Sequence, residues 1–263
     1  MIGLPKASVA ADTARMTDTA ATGTAQPDPE RAMLHREQDD PTPMVAEMAE
    51  ELRMGFEVVS RIDRPAVTIF GSARIKPDDP WYALAMAVAA GFVTEGFAVV
   101  TGGGPGIMEA ANRGAKERDG LSVGFNILLP NEQGMNGFVD LGATFKHFYA
   151  RKVMFVRAAE GFVVFPGGFG TLDELFEALV LIQTEKVRHF PVILFGHDHW
   201  QGLRDWLSER VLAGGMISPA DEDLLVVTDD PVDAARQVVD CYRGTCGHAS
   251  QGPPATGDGA SLG

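Results

Sequence analysis

Two glycine-rich loops, each placed where a strand-like run gives way to a helical one, are the part of this 263-residue sequence best suited to chemistry. Gly102-Gly103-Gly104-Pro105-Gly106 leads into Ile107-Met108-Glu109-Ala110-Ala111-Asn112, and Pro166-Gly167-Gly168-Phe169-Gly170-Thr171 leads into a second helix from Leu172. A helix start presents unpaired N–H groups and about half a positive charge, and glycine lets the backbone come close to a phosphate. Both loops are therefore candidate anion sites. Neither fits the usual nucleotide fingerprints, because Ile107 falls where the last glycine of the dinucleotide motif is required and no Gly-Lys-Ser/Thr follows either loop. The spacing argues against NAD and against a P-loop NTPase. One such loop alone is as readily a tight connection; two in one sheet favour a ligand.

Beside the second loop stands a carboxylate. Glu174 follows Thr171 by three residues, a Thr-x-x-Glu capping box, so one account of it is structural, a bond back to the helix start contributing about 0.5 to 2 kcal/mol. The other account is functional: a carboxylate in the first turn beside a phosphate loop reaches the sugar of a bound nucleotide. The apolar stripe Leu172, Leu175, Phe176, Leu179 and Ile182 reads as core packing and leaves Glu174 and Glu177 to project elsewhere. Upstream, Arg151 and Lys152 are adjacent cations in an otherwise acidic chain, just ahead of the strand that delivers the second loop. On a helix they diverge by about 100°, so a solvated face is the alternative to a shared site. His147 could be a base, but a lone histidine is more often packed or exposed, and it receives no role. Cys241 and Cys246, with only His248 nearby, make a poor zinc set and read as two free thiols.

The elements that must position these residues alternate along the chain. Strand-length apolar runs occur at Ala66–Phe70, Phe97–Thr101, Leu121–Leu129, Gly161–Phe165, Pro191–Phe195 and Leu224–Thr228. Helical patterns fall between them at Tyr82–Glu95, Ile107 onward, Phe148–Ala158, Leu172–Thr184, Leu203–Ala213 and Val232–Tyr242. Such alternation predicts one α/β domain over 44–243, a single doubly wound, mostly parallel sheet with helices on both faces, Rossmann-like in plan. Ligands of such sheets bind outside the carboxyl ends of the strands, where both glycine loops lie. Residues 1–43, rich in Ala, Thr, Asp and Pro, read as a disordered arm, and 244–263 as a loose tail.

Charge narrows the partners. Lys+Arg 22 against Asp+Glu 36 gives a net charge of -14, which repels nucleic acid and anionic membrane at long range while a local cation or helix end can still hold a small anion. With no apolar run of roughly 18 residues and no leader-like start, the sequence reads as cytoplasmic.

Three segments together, Gly102-Gly103-Gly104-Pro105-Gly106-Ile107-Met108, Arg151-Lys152-x-Met154 and Pro166-Gly167-Gly168-Phe169-Gly170-Thr171-Leu172-Asp173-Glu174, resemble the signature motifs of the LONELY GUY (LOG) family. These are cytokinin riboside 5′-monophosphate phosphoribohydrolases, often mislabelled lysine decarboxylases. The resemblance covers about 66–228. Glu109 stands where plant members commonly carry a small residue, and Gln183-Thr184-Glu185-Lys186 also differs, so the chain is more similar to the longer bacterial branch. The resemblance implies Arg151 and Glu174 as the catalytic pair. It implies Gly167, Gly168, Gly170 and Thr171 as the phosphate loop, with Glu132 and Lys152 as substrate contacts; Gly103, Gly104 and Gly106 belong to the first candidate loop. The implied reaction is hydrolysis of the N-glycosidic bond of an N6-modified adenosine monophosphate, with no metal or cofactor. AMP or another nucleoside monophosphate is the alternative substrate. A homodimer or larger homo-oligomer is also implied. Two rival readings are a nucleotide or cofactor carrier without turnover, and a pyridoxal phosphate decarboxylase using Lys152 as its Schiff-base lysine.

Overall fold

Short, almost wholly apolar runs cannot leave either face in water, and here they form strands covered on both sides. A computed structural model of the chain describes residues 40–129, 134–187 and 191–244. Among them the strands are β1 (Ala66–Phe70), β2 (Ala98–Thr101), β3 (Ser122–Ile127), β4 (Leu141–Phe145), β5 (Phe162–Val164), β6 (Val192–Phe195) and β7 (Leu225–Thr228). They pair in parallel in the order β4-β3-β2-β1-β5-β6-β7. The helices are α1 (Thr42–Ser60), α2 (Pro80–Thr94), α3 (Ile107–Lys116), α4 (Phe148–Ala158), α5 (Phe169–Gln183), α6 (His197–Trp206), α7 (Pro219–Glu222) and α8 (Pro231–Tyr242). A π-helical turn, Leu207–Leu212, continues α6.

The period of two along each strand divides the core. Ala66 and Phe70 of β1, Phe162 and Val164 of β5 and Val192 and Leu194 of β6 pack with Met154 of α4 and Leu175 of α5. The intervening Val67, Ile69, Val163, Ile193 and Phe195 pack with Tyr82 and Phe92 of α2 and Val238 of α8. The sheet is thus doubly wound, as the alternation of runs predicts. Its order turns back between β1 and β5, and the loops leaving those two strands diverge to open a crevice at their carboxyl ends.

Three features were not legible in the apolar runs. α1 begins at Thr42, two residues before the expected domain start, and packs on α4 so closely that a Cβ on Gly55 would stand 2.6 Å from Met154 Sδ. β4 is an edge strand whose residues alternate between buried and exposed, so it lacks the continuous run by which the other strands announce themselves. Cys241 is disulfide-bonded, which corrects its reading as a free thiol; weighing the cysteine spacing against zinc alone left a covalent bridge out of account. Residues 1–39 of the arm and 245–263 of the tail lie outside the described residues. No described helix is long and apolar enough to cross a membrane.

The first glycine loop is a structural joint. Gly106 has φ +70°, and a Cβ there would lie 2.4 Å from the Ser72 carbonyl oxygen and within 3 Å of the Ala73 backbone. An L side chain meets both a backbone penalty and rigid main-chain atoms. Gly106→Ala is expected to cost roughly 2 to 4 kcal/mol, read as a lower denaturation midpoint in urea.

Candidate active site

Helix α5 begins at Phe169 with Gly168 as its N-cap, and its first intrahelical bond runs from Leu172 N–H to Gly168 O at 3.0 Å. The N–H groups of the first turn are therefore directed out of the helix toward the crevice. No side chain caps this end. The Thr171–Glu174 capping box is thereby corrected: the helix starts two residues before Thr171, both residues lie inside it, and Glu174 sits in its second turn.

Thr171, Glu174, Leu175, Ala178 and Ile182 are the buried positions of α5, spaced at three, four, seven and eleven. Glu174 thus belongs to the inward stripe rather than projecting away from it, while Phe176 of the expected core stripe is exposed. The packing of Leu175 and Ile182 on the sheet drives Glu174 to the floor of the crevice. There it is only 8% exposed. Burial pushes its pKa up to about 7; the positive charges of Lys152 and Arg151 pull in the opposite direction, and Glu177 and Asp173 add to the rise.

Helix α4 supplies both cations, and α1 holds α4 in place. Glu51, buried on α1, accepts the backbone N–H groups of Lys146 at 2.7 Å and His147 at 3.3 Å, and lies 3.0 Å from His147 Nδ1. A carboxylate delivered from another helix so satisfies donors at the start of α4. His147 is buried against it, a packed histidine.

Arg151 Nε donates to Phe125 O at 2.8 Å, and its guanidinium carbon stands 4.9 Å from the Phe155 ring centroid. The first loop passes close to this guanidinium: a Cβ on Gly102 would meet the ends of the Arg151 and Met108 side chains, which would have to shift to admit it. Lys152 Nζ lies 2.8 Å from Asp173, 3.0 Å from Glu177 and 3.8 Å from Glu174. Although burial acts against its charge, the carboxylates prevail and raise its pKa. A Schiff-base nucleophile must shed its proton, and this lysine is held in the charged form.

The crevice encloses about 670 Å³. Arg151, Glu174, Gly104, Gly168, Gly170 and Thr171 line it, so the structure brings six of the expected residues together. Gly103, Gly106 and Gly167 do not line it. They shape its walls: a Cβ on Gly167 would meet Thr171 Oγ1 within 2.1 Å, and Gly103 donates its N–H to Thr101 Oγ1 at 2.9 Å. Lys152 does not line the crevice either, but its Nζ lies 3.8 Å from Glu174 Oε1. Glu132 lies outside the described residues.

Other contributors carry weaker sequence signals. Asn112, buried in α3, accepts from Thr101 Oγ1 at 2.6 Å and from Asn136 Nδ2 at 2.9 Å, and donates to Ser122 Oγ at 2.9 Å. Asn136 also donates its backbone N–H to Gly103 O at 2.7 Å and Nδ2 to Gly104 O at 3.0 Å, pinning the first loop. An amide among the alanines of Met108–Ala115 was the available clue. Arg74 and Ser72, from the loop after β1, also line the crevice.

An open parallel sheet, a crevice at the reversal of strand order, a helix start facing it and a buried carboxylate beside a guanidinium define an α/β protein built for a small phosphorylated ligand. The family described as "Possible lysine decarboxylase" matches residues 108–238. A Mycobacterium marinum protein named cytokinin riboside 5′-monophosphate phosphoribohydrolase is 34% identical over 157 residues, 59% of this chain and 82% of that protein. The Mycobacterium tuberculosis protein of the same name is 34% identical over 160 residues, 58% of this chain and 82% of that protein. An Escherichia coli pyrimidine/purine nucleotide 5′-monophosphate nucleosidase is 29% identical over 150 residues, 53% of this chain and 33% of that protein. Among solved structures, a molybdenum cofactor binding protein from Rippkaea orientalis superposes with TM-score 0.50 at 22% identity, over 69% of this chain and 99% of that one, a likeness of fold. The chain belongs to the LOG family of phosphoribohydrolases.

Proposed function

We propose that this protein hydrolyses the N-glycosidic bond of an adenosine 5′-monophosphate, N6-modified in the preferred substrate, to free base and ribose 5-phosphate. Glu174, buried in the floor of the crevice next to an open helix start and within electrostatic reach of Arg151, is the observation that carries this reading. The start of α5 holds the 5′-phosphate, which sets the ribose over Glu174. As the C1′–N bond breaks, positive charge grows on C1′ and the ring oxygen, and the Glu174 carboxylate stabilises it at short range in a site of low dielectric. Water gives its hydroxide to C1′ and a proton balances the departing base, with Glu174 orienting that water. Arg151 keeps carboxylate and substrate in register. Ile127, Leu129, Phe148 and Met108 give the crevice an apolar wall, which favours a base carrying an apolar N6 substituent over plain AMP. The names of the mycobacterial relatives support the same chemistry.

The same reading includes a homo-oligomer. Tyr149 and Val153 of α4 and Phe176 and Val180 of α5 are exposed apolar side chains, and Phe169, which lines the crevice, is 93% exposed.

The test is base release, followed by chromatography, from a panel of nucleoside 5′-monophosphates and the matching nucleosides. Release that requires the phosphate is expected. Binding without release from any nucleotide would instead identify a carrier. Because the carboxylate is the working form and its pKa is near 7, the rate should rise roughly tenfold from pH 6 to pH 8 and then level. A rate that falls over that interval would show that the protonated form is the active one.

A further inference from the structure

The crevice wall carries a cation that the chemistry above leaves without a task. Arg74 lies in the loop between β1 and α2 and lines the crevice together with Ser72 and Ala73. Its side chain is exposed, and it forms no ion pair among the described residues. The other two cations at the site are committed, Arg151 to the Phe125 carbonyl and the Phe155 ring, Lys152 to its three carboxylates.

Although Arg74 is exposed, its root is firmly placed. Ser72 N–H donates to Pro166 O at 3.0 Å, and Ser72 O accepts from Ile107 N–H at 3.1 Å. One residue thus ties the β1 loop to the lead-in of the second glycine loop and to the first residue of α3. Arg74 N–H then donates to Ser72 Oγ at 3.1 Å, turning the chain immediately after that junction. The arginine therefore rises where the two glycine loops meet, at the reversal of strand order, with its guanidinium on the same crevice as the start of α5.

Opposite it, the start of α5 is open. Among the described residues a Cβ on Gly168 or Gly170 would meet nothing within 4 Å, so none of them fills either flank of the helix end. A helix end offers about half a positive charge, whereas a phosphate monoester brings about −1.5 to −2. The chain adds a net charge of -14 to the field against it. The helix end alone leaves most of the phosphate charge uncompensated, and an exposed guanidinium at the same opening, with no ion pair among the described residues, is the group able to balance it bidentately.

We propose that Arg74 is the second anchor of the substrate's 5′-phosphate, closing on the anion from the β1 loop while the start of α5 holds its other side. The inference rests on the nucleotide reading above and deepens it, because it assigns to this chain the residue by which a nucleoside monophosphate is told from its nucleoside. Arg74 positions substrate and takes no part in bond cleavage.

The experiment compares wild type with Arg74→Ala and Arg74→Lys in kcat and KM for AMP and N6-isopentenyl AMP, and in the calorimetric Kd for ribose 5-phosphate and for inorganic phosphate. Arg74→Ala should raise KM and both Kd values together by roughly 10- to 100-fold, with kcat changed far less. Arg74→Lys should recover part of that loss, because it keeps the charge without the fork. Added salt should weaken wild-type binding more steeply than that of the alanine variant. The proposal is overturned if Arg74→Ala keeps wild-type KM and ribose 5-phosphate affinity, or if kcat alone falls. Failure of wild type to release base would sink the hydrolase reading instead, and the two Kd comparisons would still decide the role of Arg74.

Discussion

Glu174→Gln should lower base release by about 10²- to 10⁴-fold while making the folded protein more stable above pH 7. The two effects have one cause. Burial in the crevice floor holds the Glu174 pKa at about 7, far above its ordinary value of 4.5, even with Lys152 and Arg151 pulling it down. A carboxyl whose pKa is raised on folding contributes its full stability below the unfolded value, near pH 4.5, and that contribution is lost as pH rises through 7. By pH 8 the ionised group costs the fold on the order of 3 kcal/mol. Glutamine has nearly the same shape and never ionises. Urea unfolding should therefore separate the two proteins clearly at pH 8 and little at pH 4.5, with the variant the more stable. A structural carboxylate gives the opposite pattern, loss of stability with activity kept. Because α5 is capped at Gly168 and Glu174 lies in its second turn, loss of a helix cap does not complicate the comparison. Wild-type base release by the variant would remove Glu174 from the mechanism.

How much of this site was legible beforehand depended on whether the signal was local. Strand, glycine loop and helix follow one another directly along the chain at 98–116 and 162–183; the first unit forms where its apolar pattern puts it, and in the second the helix begins at Phe169, three residues ahead of the expected Leu172. The reversal of strand order between β1 and β5 is set by pairings some ninety residues apart, beyond the reach of any local pattern. Glu174 shows the limit well. Its distance from Thr171 suggested a cap, yet the glycines let α5 start earlier, and the same carboxylate was carried round to the buried stripe. Glu51 is a second case: on α1 it looks like one more acid of a solvated face, and only the approach of α4 reveals that it satisfies the backbone of Lys146 and His147. The glycines of the first loop divided for a similar reason. Gly104 faces the crevice, whereas Gly106 is needed because the β1 loop crosses against it, a contact between segments more than thirty residues apart.

Arg151→Ala carries the other large effect, and it should act in two ways that a pH profile separates. The first is direct: the variant loses a cation that holds carboxylate and substrate in register, which is expected to lower kcat/KM by about 10²- to 10³-fold even where Glu174 is fully ionised. The second is indirect. Arg151 is one of the two positive charges holding the Glu174 pKa down, so its removal raises that pKa and shifts the rising limb of the profile to higher pH. The deficit should therefore be larger at pH 6.5 than at pH 8.5. Arg151→Lys restores a charge but not the geometry, because lysine lacks both the Nε that donates to Phe125 O and the forked guanidinium that stands 4.9 Å from the Phe155 ring centroid. It should recover much of the pH shift and little of the rate. Profiles of kcat/KM for the three proteins, with melting curves to show that the fold is kept, make the check. A variant that loses rate by the same factor at every pH would mean that Arg151 contacts the substrate without tuning Glu174. A variant within about threefold of wild type throughout would remove the guanidinium from the reaction. Arg151 and Glu174 act through one electrostatic field, so the double variant should lose less than the product of the two single losses.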